Sequence, residues 1–530
     1  MKKIKSLNFK FLVFIGLITF FTACTDDLTV TPKDDDEFSA EAFYSDPASY
    51  KQFFVFFYAG LAVTGQNGLA GSADIQGIDE GFGQYLRGLW QLQELPTDEA
   101  MVSWGDPTLP ELNNHTWNAD NRFVKAFYAR VFYQVGVANE FLRETTDAKL
   151  ASRGVSDDLK AEIKVYRAEA RFLRALSYYH GIDLFGKVAF ATENDLVGAK
   201  PVEKDRAFVF DYLVSELNAI DADLKAARTN EYGRVDKVAA KMLLAKLYQN
   251  AIVYTGVNKD TEALAAINAV IGSSYAIANV PYGDLFLADN DRSAVQSEII
   301  FPIRFDGVNT KTWGGTTFLI HASSGNWNSE MGVDDGWYGL AARKEFANLF
   351  SDLTGGADSR AIFDSGSNLT ISSVSDFFGN GGLKVKKFKN RTSAGLIGSN
   401  QTHVDTDFPI FRLADAYLMY AELAAKGVGS KATARGYINT LRTRANAAAI
   451  TSDADVTLDF VLDERARELY WEGHRRQDLI RNNKFSGSTK LWQWKGNSLN
   501  GASIDAKYNL YPIPQTELNT NSNLTQNAGY

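Results

Sequence analysis

The chain has 530 residues, 45% hydrophobic and 13% aromatic, with 35 Phe, 23 Tyr and 9 Trp. That composition excludes a mainly disordered chain and suits one large domain or two to three ordinary ones. Its single cysteine excludes an intrachain disulfide framework or a CxxC metal knuckle, and its net charge of −9 argues against nucleic acid binding by phosphate neutralisation unless a basic patch is hidden.

The first 23 residues hold Lys2, Lys3, Lys5 and Lys10 and no acid, which leaves 51 basic against 64 acidic residues in the rest, a balance of −13. Phe11 to Phe21 is an apolar run. At ~1.5 Å per residue it covers about half of a ~30 Å hydrocarbon core, so it suits a signal-peptide core better than a span. Thr22-Ala23-Cys24 resembles a bacterial lipobox, with Phe21 where Leu is usual. On that reading Cys24 is lipidated and becomes the mature N-terminus, held in the membrane by two or three acyl chains. The alternative is ordinary signal cleavage beside an incidental cysteine. Thr25 to Glu37 is polar and acidic, as a tether would be. The expected organisation is therefore a lipoprotein signal peptide at 1–23, a lipidated flexible tether at 24–37 and one domain at 38–530. No later stretch approaches 18 apolar residues, so the body is expected to lie outside the cytoplasm without a span.

Helical periodicity dominates that body. Val165, Ala168, Phe172, Leu176 and Tyr179 fall at steps of three and four, one face of a helix over Ile163 to Phe185. Asp236 to Tyr254 reads as a second helix. A Gly256 to Asn258 turn returns it into Thr261 to Ile271. Leu413 to Lys426 with Lys431 to Ala445, and Leu458 to Glu472 with His474 to Asn482, repeat this tetratricopeptide-like grammar. Uneven spacing predicts helix pairs dispersed through one domain, not a clean solenoid. Long Gly-, Asn- and Asp-rich segments separate them: Asn67 to Gly88, Asp306 to Tyr338 and Gly355 to Asn400. Ser297 to Phe305 and Gly382 to Phe388 are β-prone and predict small strands. The fold class is thus mainly α, with long loops and a few short strands.

The loops carry aromatic residues. Trp104 lies in a turn-rich VSWGDP stretch, Trp313 in TWGG, Trp327 between two asparagines, and Trp337 after Asp334, Asp335 and Gly336. Each either offers its face to a ligand or folds back on the core. A pyranose packs its C–H face on such a ring and gives its hydroxyls to Arg, Asp, Asn or Gln nearby. Base stacking, at ~1–3 kcal/mol per ring, is a loose guide to the size of each contact. Trp90, Trp117 and Trp471 stand in helix-like context and read as core, while Trp492 and Trp494 alternate as in a strand.

Several passages together resemble the SusD/RagB family of outer-membrane nutrient-binding lipoproteins. They are Leu89 to Ala100 followed by Trp104-Gly105-Asp106, Trp313 to Ile320, Phe408 to Leu423, Asp463 to Asp478, and Tyr511 to Tyr530. The resemblance runs from the lipobox to the last residue. It implies tetratricopeptide-like pairs behind a loop-built binding face. It also implies a SusC-like TonB-dependent transporter as partner, with the lipoprotein as its lid on the cell surface. A starch-binding member of the family places an acid, an arginine and a tryptophan where Asp79, Arg87 and Trp104 stand here. Pro107, with Asp106 beside it, replaces that member's asparagine, and Trp313 is the nearest match to its second aromatic.

Other constellations point away from catalysis. Asp98 and Glu99 are neighbours, whereas a glycosidase needs two carboxylates ~5–9.5 Å apart across a bond; Thr97-Asp98-Glu99 reads instead as a helix start. His115, His180, His321, His403 and His474 never fall at zinc-motif spacing. Arg412, Asp415, Glu464, Arg467, Arg475 and Asp478 read as buried ion pairs between helix pairs. Asp289-Asn290-Asp291 is either a calcium loop or a solvated one, and no other cofactor is implied. The expectation is a non-enzymatic, surface-exposed lipoprotein that captures a neutral glucan, starch-like or laminarin-like, for a transporter. The competing readings are a peptide-binding or purely structural lid of the same family, and a surface glycoside hydrolase.

Overall fold

The computed structural model describes residues 39–65, 74–364, 368–374 and 381–530. Signal peptide, Cys24 and tether lie outside the described residues. The chain divides into two compact units, residues 1–51 and 52–530. In the first, Ser39 caps α1 (Ala40–Phe43), its Oγ accepting from Ala42 N at 3.2 Å, as short polar side chains do at helix starts. The next helix, α2 (Ala48–Ala62), runs from the end of the first unit into the second and is rich in aromatic residues; within the second unit its Phe53 and Phe57 meet Phe141 at 5.8 and 5.3 Å between ring centres.

The second unit is mainly helical. In chain order it contains α3 (Tyr85–Glu94), β1 (Met101–Val102), α4 (Arg122–Glu144) and α5 (Asp157–Phe185), then β2 (Val188–Phe190), β3 (Val202–Lys204) and α6 (Arg206–Ala219). Next come α7 (Lys237–Gln249), α8 (Asp260–Ile271), β4 (Ile299–Ile303), α9 (Gly315–Ser323), β5 (Leu340–Ala341) and β6 (Phe408–Arg412). The last long elements are α10 (Leu413–Ala425), α11 (Lys431–Arg444), α12 (Leu458–Leu469) and α13 (Arg475–Arg481). Neighbouring pairs pack as the sequence pattern requires: α4 on α5, α7 on α8, α10 on α11, with α8 and α12 both against α10. On α5 the residues Ala168, Phe172, Leu176 and Tyr179 are buried, with Val165 half-buried at the start of the same face. The strands pair antiparallel in twos, β1 with β5, β2 with β3 and β4 with β6.

Buried ion pairs fasten these helices. Arg412, 1% exposed, binds Glu298, Glu468 and Glu472 at 3.0, 2.7 and 2.6 Å. Arg465 joins Asp415 and Asp478, and Arg475 holds Asp98 through two bonds of 2.7 and 2.8 Å. Arg467, half-buried, pairs with Glu464 on its own helix.

Local expectations fail where tertiary contacts override pattern. Thr97-Asp98-Glu99 is not a helix start: Asp98 is committed to Arg475, and Glu99 accepts the Trp471 N–H at 3.1 Å. The predicted helix from Asp236 to Tyr254 breaks at Asn250, whose side chain donates back to the Lys246 carbonyl at 2.9 Å. The helix expected to reach Glu472 stops at Leu469, and Trp471 turns to φ +62°. Trp90, Trp117 and Trp471 are buried, but Trp117 and Trp471 stand in loops, not helices. Gly382 to Phe388 contributes only isolated bridges at Leu383 and Val385. Trp492 and Trp494 form no strand, since Trp494 adopts φ +70°. The long loop from Asp306 to Tyr338 contains the buried helix α9.

Candidate functional site

The site is assembled around the start of α3. Gln84 caps this helix: its Oε1 accepts Arg87 N at 2.7 Å and Gly315 N at 2.9 Å, while its Nε2 donates to the Leu61 and Ala62 carbonyls at 2.6 and 3.1 Å. One buried amide thereby fixes three segments. Gly314 is required beside it, because a Cβ there would stand 2.5 Å from the Gln84 Cβ.

Arg87, one turn further on, is half-buried. Its Nη1 donates to the Gly81 carbonyl at 2.9 Å and to the Trp313 carbonyl at 3.0 Å. The guanidinium lies 4.3 Å over Phe318 of α9 and 5.9 Å from the Trp104 ring, a cation held against aromatic faces. Burial lowers its pKa to about 10, while Asp79 and Asp106 act in the opposite direction. Asp79 shapes the preceding turn, its Oδ1 accepting Gly81 N at 2.8 Å. Asp79, Arg87 and Trp313 converge on Gly81, whose missing side chain would lie within 3.0 to 3.8 Å of all three.

Trp104, Trp313 and Trp337 form an arc of half-buried indoles. Trp337 is central, 6.4 Å from Trp104 and 6.0 Å from Trp313 between ring centres. Trp104 Nε1 donates to the Trp337 carbonyl at 3.1 Å. Its ring lies on Gly339, where any Cβ would overlap it. Phe318 supports Trp104 edge-on at 5.9 Å. The other two rings each rest on a histidine. His321 stacks on Trp337 at 4.5 Å and 22°, and His403 meets Trp313 at 4.7 Å. His321 also lies between two loops, with Nδ1 2.7 Å from the Asp335 carbonyl and Nε2 3.1 Å from the Thr402 carbonyl; the neutral ring has one N–H and donates to one of the two. Burial pushes both imidazoles below the usual histidine range, so at neutral pH they back the indoles as uncharged rings.

Of the sequence-predicted residues, the structure therefore brings together Asp79, Arg87, Trp104, Asp106, Trp313 and Trp337. Trp327 stands by Lys386 instead, with the ammonium 6.0 Å from its ring. Gln84, Phe318, His321 and His403 escaped sequence reading, since no local pattern marks a buried cap or a supporting ring. Asp289-Asn290-Asp291 is spent within the protein. Asp289 accepts from Ser393, Asn290 binds the Asp407 backbone at both ends of its amide, and Asp291 faces Arg304. Among the described residues, no group of three or more His, Cys, Asp or Glu could hold a metal ion. Chemically, the arrangement offers flat apolar faces beside one cation and two acids, with the arginine's Nε lacking a hydrogen-bond partner among the described residues.

Fold and site together define the SusD-like class, paired helices behind a loop-built aromatic face. The family model for the SusD family matches residues 367–530. The chain is 37% identical to the starch-binding protein SusD of Bacteroides thetaiotaomicron, over 96% of each chain. It is 24% identical to SusD-like protein P2 of Formosa agariphila, over 79% of this chain and 83% of that one. The chain belongs to the SusD family. Among solved structures, a SusD superfamily protein from Bacteroides thetaiotaomicron shares the fold with a TM-score of 0.70 at 19% identity, covering 91% of this chain and 99% of that one. Surface glycan-binding protein A from the same species, solved with laminarihexaose, gives a TM-score of 0.66 at 20% identity and the same coverage.

Proposed function

We propose that the chain is a glycan-binding lipoprotein of the outer cell surface, which captures a neutral glucan and passes it to a SusC-like TonB-dependent transporter. The arc of Trp104, Trp313 and Trp337 beside Arg87 carries this reading, because partly exposed indoles beside polar side chains match the two faces of a pyranose. The similarity to a starch-binding protein over nearly the whole chain supports it and puts an α-glucan ahead of a β-glucan. A likeness in fold to a protein solved with laminarihexaose keeps the β-glucan second. An acidic polysaccharide would need cations in the loops, yet Asp306 to Tyr338 holds Lys311 alone against Asp306, Glu330, Asp334 and Asp335. Anchoring falls to Cys24 after its basic and apolar leader. The relatives carry the names of binding proteins, and the expected behaviour is affinity without turnover.

Affinity gel electrophoresis of residues 25–530 in starch, laminarin, levan, xylan and alginate tests this. Retardation in starch, with no new reducing ends released, is the expected result. Retardation in laminarin alone would move the substrate to a β-glucan, and free migration in every gel would overturn the polysaccharide reading.

A further inference from the structure

Next to the tryptophan arc lies a further aromatic residue that the reading above leaves unused. Tyr338 follows Trp337 directly and is half-exposed. Its backbone sits at φ +51°, a left-handed conformation that a bulky residue adopts only at a cost. In extended backbone, consecutive side chains point to opposite faces; the left-handed turn breaks that alternation immediately after the central indole. The conformation is held from both sides. Tyr338 N donates to the Ser324 carbonyl at 3.0 Å, and Gly339 N to the Ala322 carbonyl at 2.7 Å.

The ring has a prepared seat. It lies over Gly325, where a Cβ would come within 2.6 Å of its Cε1. Gly336 in turn packs backbone to backbone on Gly325, a Cβ there falling 2.7 to 2.9 Å from Gly325 main-chain atoms. The Tyr338 hydroxyl donates to the Asn326 Oδ1, which leaves the amide Nδ2 of that exposed residue available to a ligand hydroxyl. A flat ring on glycine backbone, with an amide at its polar edge, repeats the chemistry by which Trp104 lies on Gly339 beside Arg87.

We propose that Tyr338, seated on Gly325 and joined to Asn326, is a further sugar-stacking station that extends the arc to oligosaccharides longer than the three indoles accommodate. This rests on the glucan reading given above. Strain at Tyr338 is then the cost of presenting a fourth ring. Short ligands are held by the indoles alone, and long ones reach both parts.

The test is calorimetric titration of wild type, Tyr338→Gly and Tyr338→Phe with maltotriose and maltoheptaose. Tyr338→Gly removes the ring while suiting the left-handed backbone, so it should fold at least as well as wild type. Expected are a loss of about tenfold in maltoheptaose affinity and less than about twofold for maltotriose. Tyr338→Phe, which keeps the ring and loses the Asn326 bond, should fall between wild type and Tyr338→Gly for maltoheptaose. Equal losses for both sugars would make Tyr338 a mere support for Trp337 and overturn the station alone, as would unchanged affinity for maltoheptaose. Absence of wild-type binding to either sugar would overturn the α-glucan reading, and the station with it.

Discussion

Trp104 shows how one side chain in the arc is specified. Its N–H is committed to the Trp337 carbonyl and one face is laid on Gly339, so the half-exposed remainder is pre-oriented before any ligand arrives, which limits the ordering cost of binding. Trp104→Ala should weaken glucan affinity by about tenfold or more and leave thermal unfolding little changed; unaltered mobility in a starch gel would remove Trp104 from the site. Gly339→Ala probes the same geometry from beneath. The added methyl overlaps the indole and must displace it, so retention in the gel should drop although no ring has been deleted. Trp104 and Trp313 were legible as loop tryptophans. The glycine seats and the histidines behind Trp313 and Trp337 were not, because they depend on tertiary contacts that no local pattern marks, such as Trp104 with Gly339 and Trp313 with His403.

At the scale of elements, the start of α3 and the ion pairs beneath it divide the work of placing the site. Gln84 ties the end of α2, the start of α3 and the start of α9 together. Gln84→Ala forfeits a helix cap and leaves buried carbonyls without partners, a loss of about 1–3 kcal/mol in urea unfolding, and Arg87 should lose its register, so that starch retention falls too. Arg412→Ala is expected to cost about 3–5 kcal/mol, because it takes one buried partner from each of Glu298, Glu468 and Glu472 and leaves Arg444, Arg360 and Lys387 to offset their charge only in part. Replacing Lys160, paired with the exposed Asp157 on the same helix, should change unfolding by well under about 1 kcal/mol. The helices themselves were largely readable, since burial on one face imposes a 3.6-residue period. Their ends were not. Asn250 and Trp471 stop helices for reasons of hydrogen bonding and tertiary packing that carry no periodic signal.

For the whole molecule, buried carboxyls set opposing pH dependences. Burial and their mutual proximity push Glu94 up, and burial with Asp98 nearby pushes Glu99 up to about 7, against the pull of Arg475. The native state thus holds protons that the unfolded chain has released above about pH 4.3. Stability contributed by the pair declines as pH rises above that point; the share of Glu99 is lost as pH passes about 7, and Glu94, held well above the usual carboxylate range, extends the decline. Glu99→Gln should flatten the fall in melting temperature between about pH 5 and about pH 8; an undiminished fall would exclude the pair as its source. Glu464 and Glu472 work the other way. Burial raises them, but Arg360 and its neighbours on one, and Arg412 with Lys387 on the other, outweigh it and bring both to about 2. Their contribution is present above about pH 4.3 and is lost as pH falls toward about 2.

The linear chain determined the helical scaffold, the loops that interrupt it and the residue types that a sugar surface needs. Each of these is written in short-range pattern: a 3.6-residue apolar period, runs of glycine and asparagine, tryptophan where no helix can bury it. Which of those tryptophans act together was decided only by the tertiary structure. Trp104, Trp313 and Trp337 meet because α9 folds inside what reads as a loop, while Trp327 goes to Lys386. The same packing turned Asp98 and Glu99 from a supposed helix start into an anchor for Arg475 and Trp471. The physical reason is that a buried charge or a half-buried ring takes its position from its partners, and those partners are distant in sequence.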